Sequence, residues 1–152
     1  MLTIRIQHED FDPAKEAEAL THGRTDIGAL VTFTGLCRSE AGALCALELE
    51  HYPGMAEMEL ERIAQEARAR WPVDGIVVLH RYGKIEPGER IVFVAVSGGH
   101  RGEAFHAAEY IMDFLKTSAP FWKREHHVDG SAGGWVEAKD ADDTAAERWK
   151  RK

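Results

Sequence analysis

Two apolar, β-branched runs, residues 75–82 (GIVVLHRY) and 90–97 (RIVFVAVS), are separated only by GKIEPGE. Runs of this make-up read as strands, and a short connection containing Pro-Gly reads as that of a hairpin. A helix-period segment lies on each side. Upstream, Met55, Met58, Ile63 and Ala67 recur at helical spacing while Glu57, Glu61, Arg62 and Glu66 face water. Trp71-Pro72 ends that helix, because the residue before a proline avoids the helical region. Downstream, Gly98-Gly99 leads into a helix predicted over 101–118, with an apolar stripe of Phe105, Ala108, Ile111, Met112 and Leu115 and Pro120 as its stop. The centre of the chain is therefore a hairpin with long amphipathic helices to pack on it.

The flanks continue the pattern. Leu2, Ile4 and Ile6 alternate with polar residues in a half-buried strand over 2–7. Asp12-Pro13 has the form of a cap followed by the first helical position, and the short helix runs to about Leu20. Residues 28–34 (GALVTFT) and 44–52 read as strands, with a polar loop at 38–42 between them. Strands are also predicted over 121–128 and 135–138, joined by a glycine-rich loop at 129–134. A charged tail, or frayed helix, follows from 139. The order β-α-β-β-α-β-β-α-β-β specifies an α+β fold with a largely antiparallel sheet. At 152 residues the expectation is one domain over 1–139 and a charged tail over 140–152.

Composition removes several functional classes. Nineteen Lys and Arg against 26 Asp and Glu give a net charge of −7, which argues against sequence-independent nucleic-acid binding. No apolar run approaches the roughly 20 residues of a membrane-spanning helix. The opening MLTIRIQHED turns acidic too early for a secretory signal. Cys37 and Cys45 make no disulfide framework, so a cytoplasmic location is expected. G-x-S-x-G, Walker-type and dinucleotide glycine patterns are missing, as are H-E-x-x-H and paired C-x-x-C, so no metal site is expected. His126 and His127 are adjacent in a strand and point to opposite faces.

Cations at element ends are more informative. Arg38 begins a loop, His100-Arg101 follow the double glycine at a helix N-terminus, Lys116 ends that helix, and Lys123-Arg124 come soon after. Each has a plain structural reading: an ordinary strand-to-helix turn, a helix C-terminal cation, a solvated strand residue. Together, in an acidic chain, they point to an anionic small molecule or a carboxylate-bearing tail. Cys37 beside Arg38 is either a thiol activated by a cation or, the plainer reading, a small buried hydrophobe.

The segments GALVTFTGLCRSE, LELEHYPGMAEMELERIA, RWPVDGIVVLHRYGKIEPGERIVFVAVSGGHRGEAF and IMDFLKTSAPFWKREHH closely resemble the large, catalytic subunit family of molybdopterin synthase over about residues 2–149. EHYPGM, HR-x-G, APFWK-x-E and WVEA are its most specific motifs. The resemblance implies an α/β-hammerhead fold and a sulfurtransferase that converts cyclic pyranopterin monophosphate to molybdopterin. It implies a homodimeric core, each protomer carrying a small ubiquitin-like sulfur-carrier subunit, which makes a heterotetramer. The sulfur comes from the carrier's C-terminal Gly-Gly thiocarboxylate, with no metal or organic cofactor.

By the same resemblance Lys116 and Lys123 are catalytic, and the substrate-contacting set is Leu36, Cys37, Arg38, His100, Arg101, Lys116, Lys123, Arg124 and Glu125. The chemistry fits these types: guanidinium and imidazolium groups hold a phosphate, and an ammonium stabilises the oxygen charge that develops when a thiocarboxylate attacks carbon. Lys116 can also shuttle a proton if burial lowers its pKa. Leu36-Cys37 departs from the family, where many members carry a lysine or another residue and a valine, and the GSAGG loop before Trp135 adds flexibility at the rim. Two rivals remain: a scaffold that only docks a ubiquitin-like partner, and a phosphoester hydrolase. Retention of both lysines speaks against the first and the lack of paired carboxylates or metal ligands against the second. Arg101 and Lys116 lie 15 positions apart on one helix. At 1.5 Å per residue that is roughly 22 Å, too far to converge on one small pterin within a protomer. The homodimer that the resemblance implies offers the resolution: Lys116 and Lys123 of one protomer face His100 and Arg101 of the other.

Overall fold

Two of the helices start where a carboxylate side chain accepts from the free backbone N–H groups of the first turn or of the residue before it. The computed structural model describes residues 1–39, 42–135 and 140–150. In chain order these form β1 (Leu2–Gln7), α1 (Pro13–Thr21), β2 (Ala29–Leu36), β3 (Leu44–His51), α2 (Met55–Arg70), β4 (Val73–Arg81), β5 (Gly83–Ile85), β6 (Arg90–Gly98), α3 (Arg101–Thr117), β7 (Phe121–His127) and α4 (Asp140–Glu147), with a closing 3-10 turn at Arg148–Lys150. The Asp12 carboxylate accepts from the backbone N–H groups of Ala14 (3.1 Å) and Lys15 (3.3 Å) at the start of α1. At the start of α2, Gly54 takes φ +85° and donates its N–H to the Glu57 carboxylate at 2.7 Å. A side chain at Gly54 would be strained in that left-handed conformation.

The larger sheet has the order β1-β4-β6-β2. β4 and β6 form the expected antiparallel pair, with Val78 opposite Val94, while β1 runs parallel to β4. Ile76, Val78, Val94 and Val96 pack under α2 and α3 against Leu60, Ile63, Ala104 and Ile111. The alternate residues Val77, Leu79, Phe93 and Ala95 face Phe11 and Leu20 beside α1. Both faces are therefore covered, which is why β4 and β6 read as unbroken apolar runs.

The expected hairpin connection carries a strand of its own. Arg81 donates Nε to the His8 carbonyl (3.0 Å) and Nη1 to the Arg90 carbonyl (2.9 Å), fixing the ends of the hairpin. The chain then leaves the larger sheet as β5 and joins a second sheet of order β5-β3-β7, antiparallel throughout. The single sheet expected from sequence is thus two, and the overall class remains α+β, with long helices α2 and α3 packed on one face. The strand expected over 135–138 falls mostly outside the described residues. Trp135 is not in a strand, and the pairing present there is an isolated bridge between His126 and Ala132.

The C-terminal segment docks on α3. Arg148 pairs with Glu109 (2.6 Å) and Asp113 (2.8 Å), and the Trp149 indole N–H donates to Asp113 at 2.6 Å. The Trp149 ring meets Trp71 edge-on at 5.4 Å and Tyr110 at 5.7 Å. Among the described residues no helix is long and apolar enough to cross a membrane.

Candidate active site

A cavity of about 420 Å³ opens where the two sheets meet. Leu36, Cys37 and Arg38 reach it from the end of β2, Leu44 and Leu47 from β3, Lys116 from the last turn of α3, and Lys123, Glu125 and His127 from β7. Strand pleating explains the last three: alternate residues of β7 share a face. The cavity thus gathers three cations and a carboxylate from distant points in the sequence. Leu36 is 56% exposed at its rim.

Arg124 lies on the other face of β7. Its guanidinium sits 4.3 Å over the Trp135 ring, and its Nε is buried without a hydrogen-bond partner. On the same face His126 Nε2 pairs with Glu48 at 2.8 Å, which holds the Glu48 carboxyl below its ordinary range. Alternation turns the Arg124 side chain away from that of Lys123, and Arg124 does not line this cavity. His127, by contrast, was not singled out as a site residue, although a period of two counted on from Lys123 and Glu125 reaches it.

His100 and Arg101 are exposed at the opposite end of α3 and do not line the cavity. Gly98 and Gly99 hold their turn against Gly28: the Gly28 N–H donates to the Gly98 carbonyl at 2.9 Å. A Cβ on Gly28 would stand 2.3 Å from the Gly99 oxygen, so only glycine permits this approach. The separation expected along the helix is what the fold displays.

Cys37 is 3% exposed, and burial is the first cause that raises its thiol pKa, with the Glu89 charge second. Its sulfur lies 3.7 Å from the Ile85 carbonyl, its N–H donates to Glu89 O (2.8 Å), and its carbonyl accepts from Gly88 N (2.7 Å). The buried-hydrophobe reading holds, because desolvation of the thiolate outweighs any help from the exposed Arg38. On β4, the pKa of His80 is lowered to about 4, chiefly by burial, with the Lys116 and His51 charges adding to it against the backbone bond to Arg81. Among the described residues no group of three His, Cys, Asp or Glu side chains is placed to hold a metal ion.

A cation-lined cleft at the junction of two sheets, in an otherwise acidic α+β domain, has the chemistry of an enzyme that handles anions. The chain belongs to the MoaE protein family, whose model matches residues 6–118. It is similar to the molybdopterin synthase catalytic subunit of Mesorhizobium japonicum, 64% identical over 148 residues that cover 97% of this chain and 93% of the relative. The subunit of that name from Rhizobium meliloti is 63% identical over 151 residues, 99% of this chain and 97% of the relative. Among solved structures, a molybdopterin biosynthesis MoaE protein from Burkholderia ambifaria superposes with a TM-score of 0.85 at 48% identity, covering 100% of both chains.

Proposed function

We propose that this chain is the catalytic subunit of a molybdopterin synthase, a sulfurtransferase that makes molybdopterin from cyclic pyranopterin monophosphate. The sulfur donor is the C-terminal thiocarboxylate of a small ubiquitin-like carrier subunit. The observation that carries this reading is the convergence of Arg38, Lys116 and Lys123 on one cleft. An extended carrier tail enters beside the two lysines, and Arg38 offers two parallel N–H donors to a phosphate. As the sulfur attacks carbon, the Lys116 ammonium stabilises the charge that develops on oxygen. Lys123 supplies the second ammonium, and Glu125 and His127 contribute polar groups to the same wall. His100 and Arg101 complete the site from the second protomer of a homodimer, so that two protomers and two carriers make a heterotetramer working in the cytoplasm. The rival scaffold that docks a partner without chemistry leaves the grouping of the lysines unexplained.

The test is to mix the protein with thiocarboxylated carrier and the cyclic pterin and to assay dithiolene. Lys116→Ala abolishes product while carrier affinity stays within about threefold, because one ammonium matters far more at a developing charge than across an interface. Near-normal turnover by that variant refutes the role of Lys116. A carrier ending in a plain carboxylate binds but yields no product.

A further inference from the structure

Two of the sequence motifs, EHYPGM and HR-x-G, give the cavity wall no residue and a third, APFWK-x-E, gives it Lys123 and Glu125, yet ring side chains of all three meet in one cluster. His51 comes from EHYPGM, His80 and Tyr82 from HR-x-G, and Phe121 from APFWK-x-E. The His80 and Phe121 rings stack at 3.8 Å with 16° between their planes. His51 lies 4.7 Å from the Tyr82 ring and 6.2 Å from that of Phe121. His80 is 5% exposed on β4, and its Nδ1 is 2.8 Å from the Arg81 carbonyl. A carbonyl only accepts, so Nδ1 carries the proton and the ring is fixed in one orientation.

The position of this stack in the chain gives it a use. α3 ends where the Ser118 N–H donates to the Phe114 carbonyl at 2.7 Å, one residue after the turn that carries Lys116. A short turn follows, with the Phe121 N–H donating to Ala119 O at 2.8 Å, and Phe121 opens β7 two residues before Lys123. Phe121 is thus the first large side chain after the helix to be fixed from outside its own segment. Its holder, His80, belongs to the central strand pair of the larger sheet, whereas β7 belongs to the smaller one. The stack ties one sheet to the other between the two lysines.

We propose that His80 is a positioning residue, acting through its stack on Phe121 to set the separation of the Lys116 and Lys123 ammonium groups. This rests on the roles given to those lysines above. A catalytic group displaced by about 1 Å can cost on the order of 100-fold in rate, so the joint is expected to govern turnover more than binding.

The test uses the full-length chain in His80→Ala, Phe121→Leu and His80→Phe forms, with two readouts. Phe121→Leu keeps the apolar volume but loses the planar stack, and it stands in if His80→Ala does not fold. The first readout is dithiolene synthesis with thiocarboxylated carrier. The expected result is a kcat at least about tenfold lower for His80→Ala and Phe121→Leu, KM for the carrier within about threefold, and recovery in His80→Phe. The second is the yield of a Lys116–Lys123 cross-link with a short bis-imidoester, read by peptide mass spectrometry. It falls in the first two variants and returns in His80→Phe. Unchanged cross-linking in Phe121→Leu overturns the proposal, as does lower thermal stability at unchanged kcat. A His80→Phe protein that cross-links normally yet stays inactive also overturns it, because the imidazole then acts chemically. Lys116→Ala, run alongside, reports on the functional reading alone: if it stays active that reading fails, while the cross-link still decides the joint.

Discussion

Replacing His80 by phenylalanine is expected to flatten the acid side of the stability curve. In the unfolded chain this imidazole titrates near 6.5, and in the fold it is held down to about 4. Between those values the unfolded state takes up a proton that the folded state refuses. Stability from this group is complete above 6.5, declines as the pH falls, and is fully lost below 4. The whole gap corresponds to about 3 kcal/mol, and the part between roughly pH 7 and pH 5 to about 2 kcal/mol. His80 is fully buried, so solvent does not screen the effect away. Urea unfolding of wild type and His80→Phe at those two pH values, at one protein concentration, isolates the difference. The carboxylates held low by arginine, such as Asp10 and Asp74, lose their stabilisation at lower pH and do so equally in both proteins. Wild type is expected to lose about 2 kcal/mol more than the variant on acidification. Equal losses, within about 0.5 kcal/mol, would refute the argument that His80 is buried neutral.

Three further outcomes are expected. Mixing inactive Lys116→Ala with inactive Arg101→Ala protein restores roughly a quarter of wild-type activity after subunit exchange, since half the dimers are mixed and each has one intact shared site; no recovery, with exchange verified, excludes a shared site. Cys37→Ser keeps most of its activity, because the buried thiol stays protonated and the sulfur arrives on the carrier; a persulfide on Cys37 found by mass spectrometry contradicts this. Trp149→Ala loses the indole bond to Asp113 and the contacts with Trp71 and Tyr110. It should cost about 2 kcal/mol and lower Tm by about 4–8 °C, and an unchanged melting curve would show that the docked C-terminal turn contributes nothing.

Much of the fold was legible because its signals are local. The apolar runs of β4 and β6, the Asp12-Pro13 cap and the Trp71-Pro72 stop each depend on neighbouring residues. β5 was not, because Gly-Lys-Ile is too short to show a period and its partner Leu47 lies far back in the chain. The split into two sheets follows from that pairing and was hidden with it. In the candidate site, Arg38, Lys116 and Lys123 were found as charges at element ends. Arg124 entered the substrate-contacting set with Lys123 through the resemblance, and the period of a strand assigns the two side chains to opposite faces. His127 was passed over when the histidine pair was weighed only as a metal ligand. The distance between Arg101 and Lys116 needed nothing more than helix rise.

The order of strands in the larger sheet also has a kinetic meaning. Its centre is a hairpin whose partners, such as His80 and Val92, are close in sequence, while both edges come from far upstream, with Leu2 opposite Ile76 and Ala29 opposite Gly98. Closing those long loops costs entropy before any contact returns it. The sheet is therefore expected to grow from the middle outward, β1 and β2 being added to a β4–β6 nucleus. Native-state hydrogen exchange is expected to find the slowest amides in that hairpin and the first openings in the edge strands.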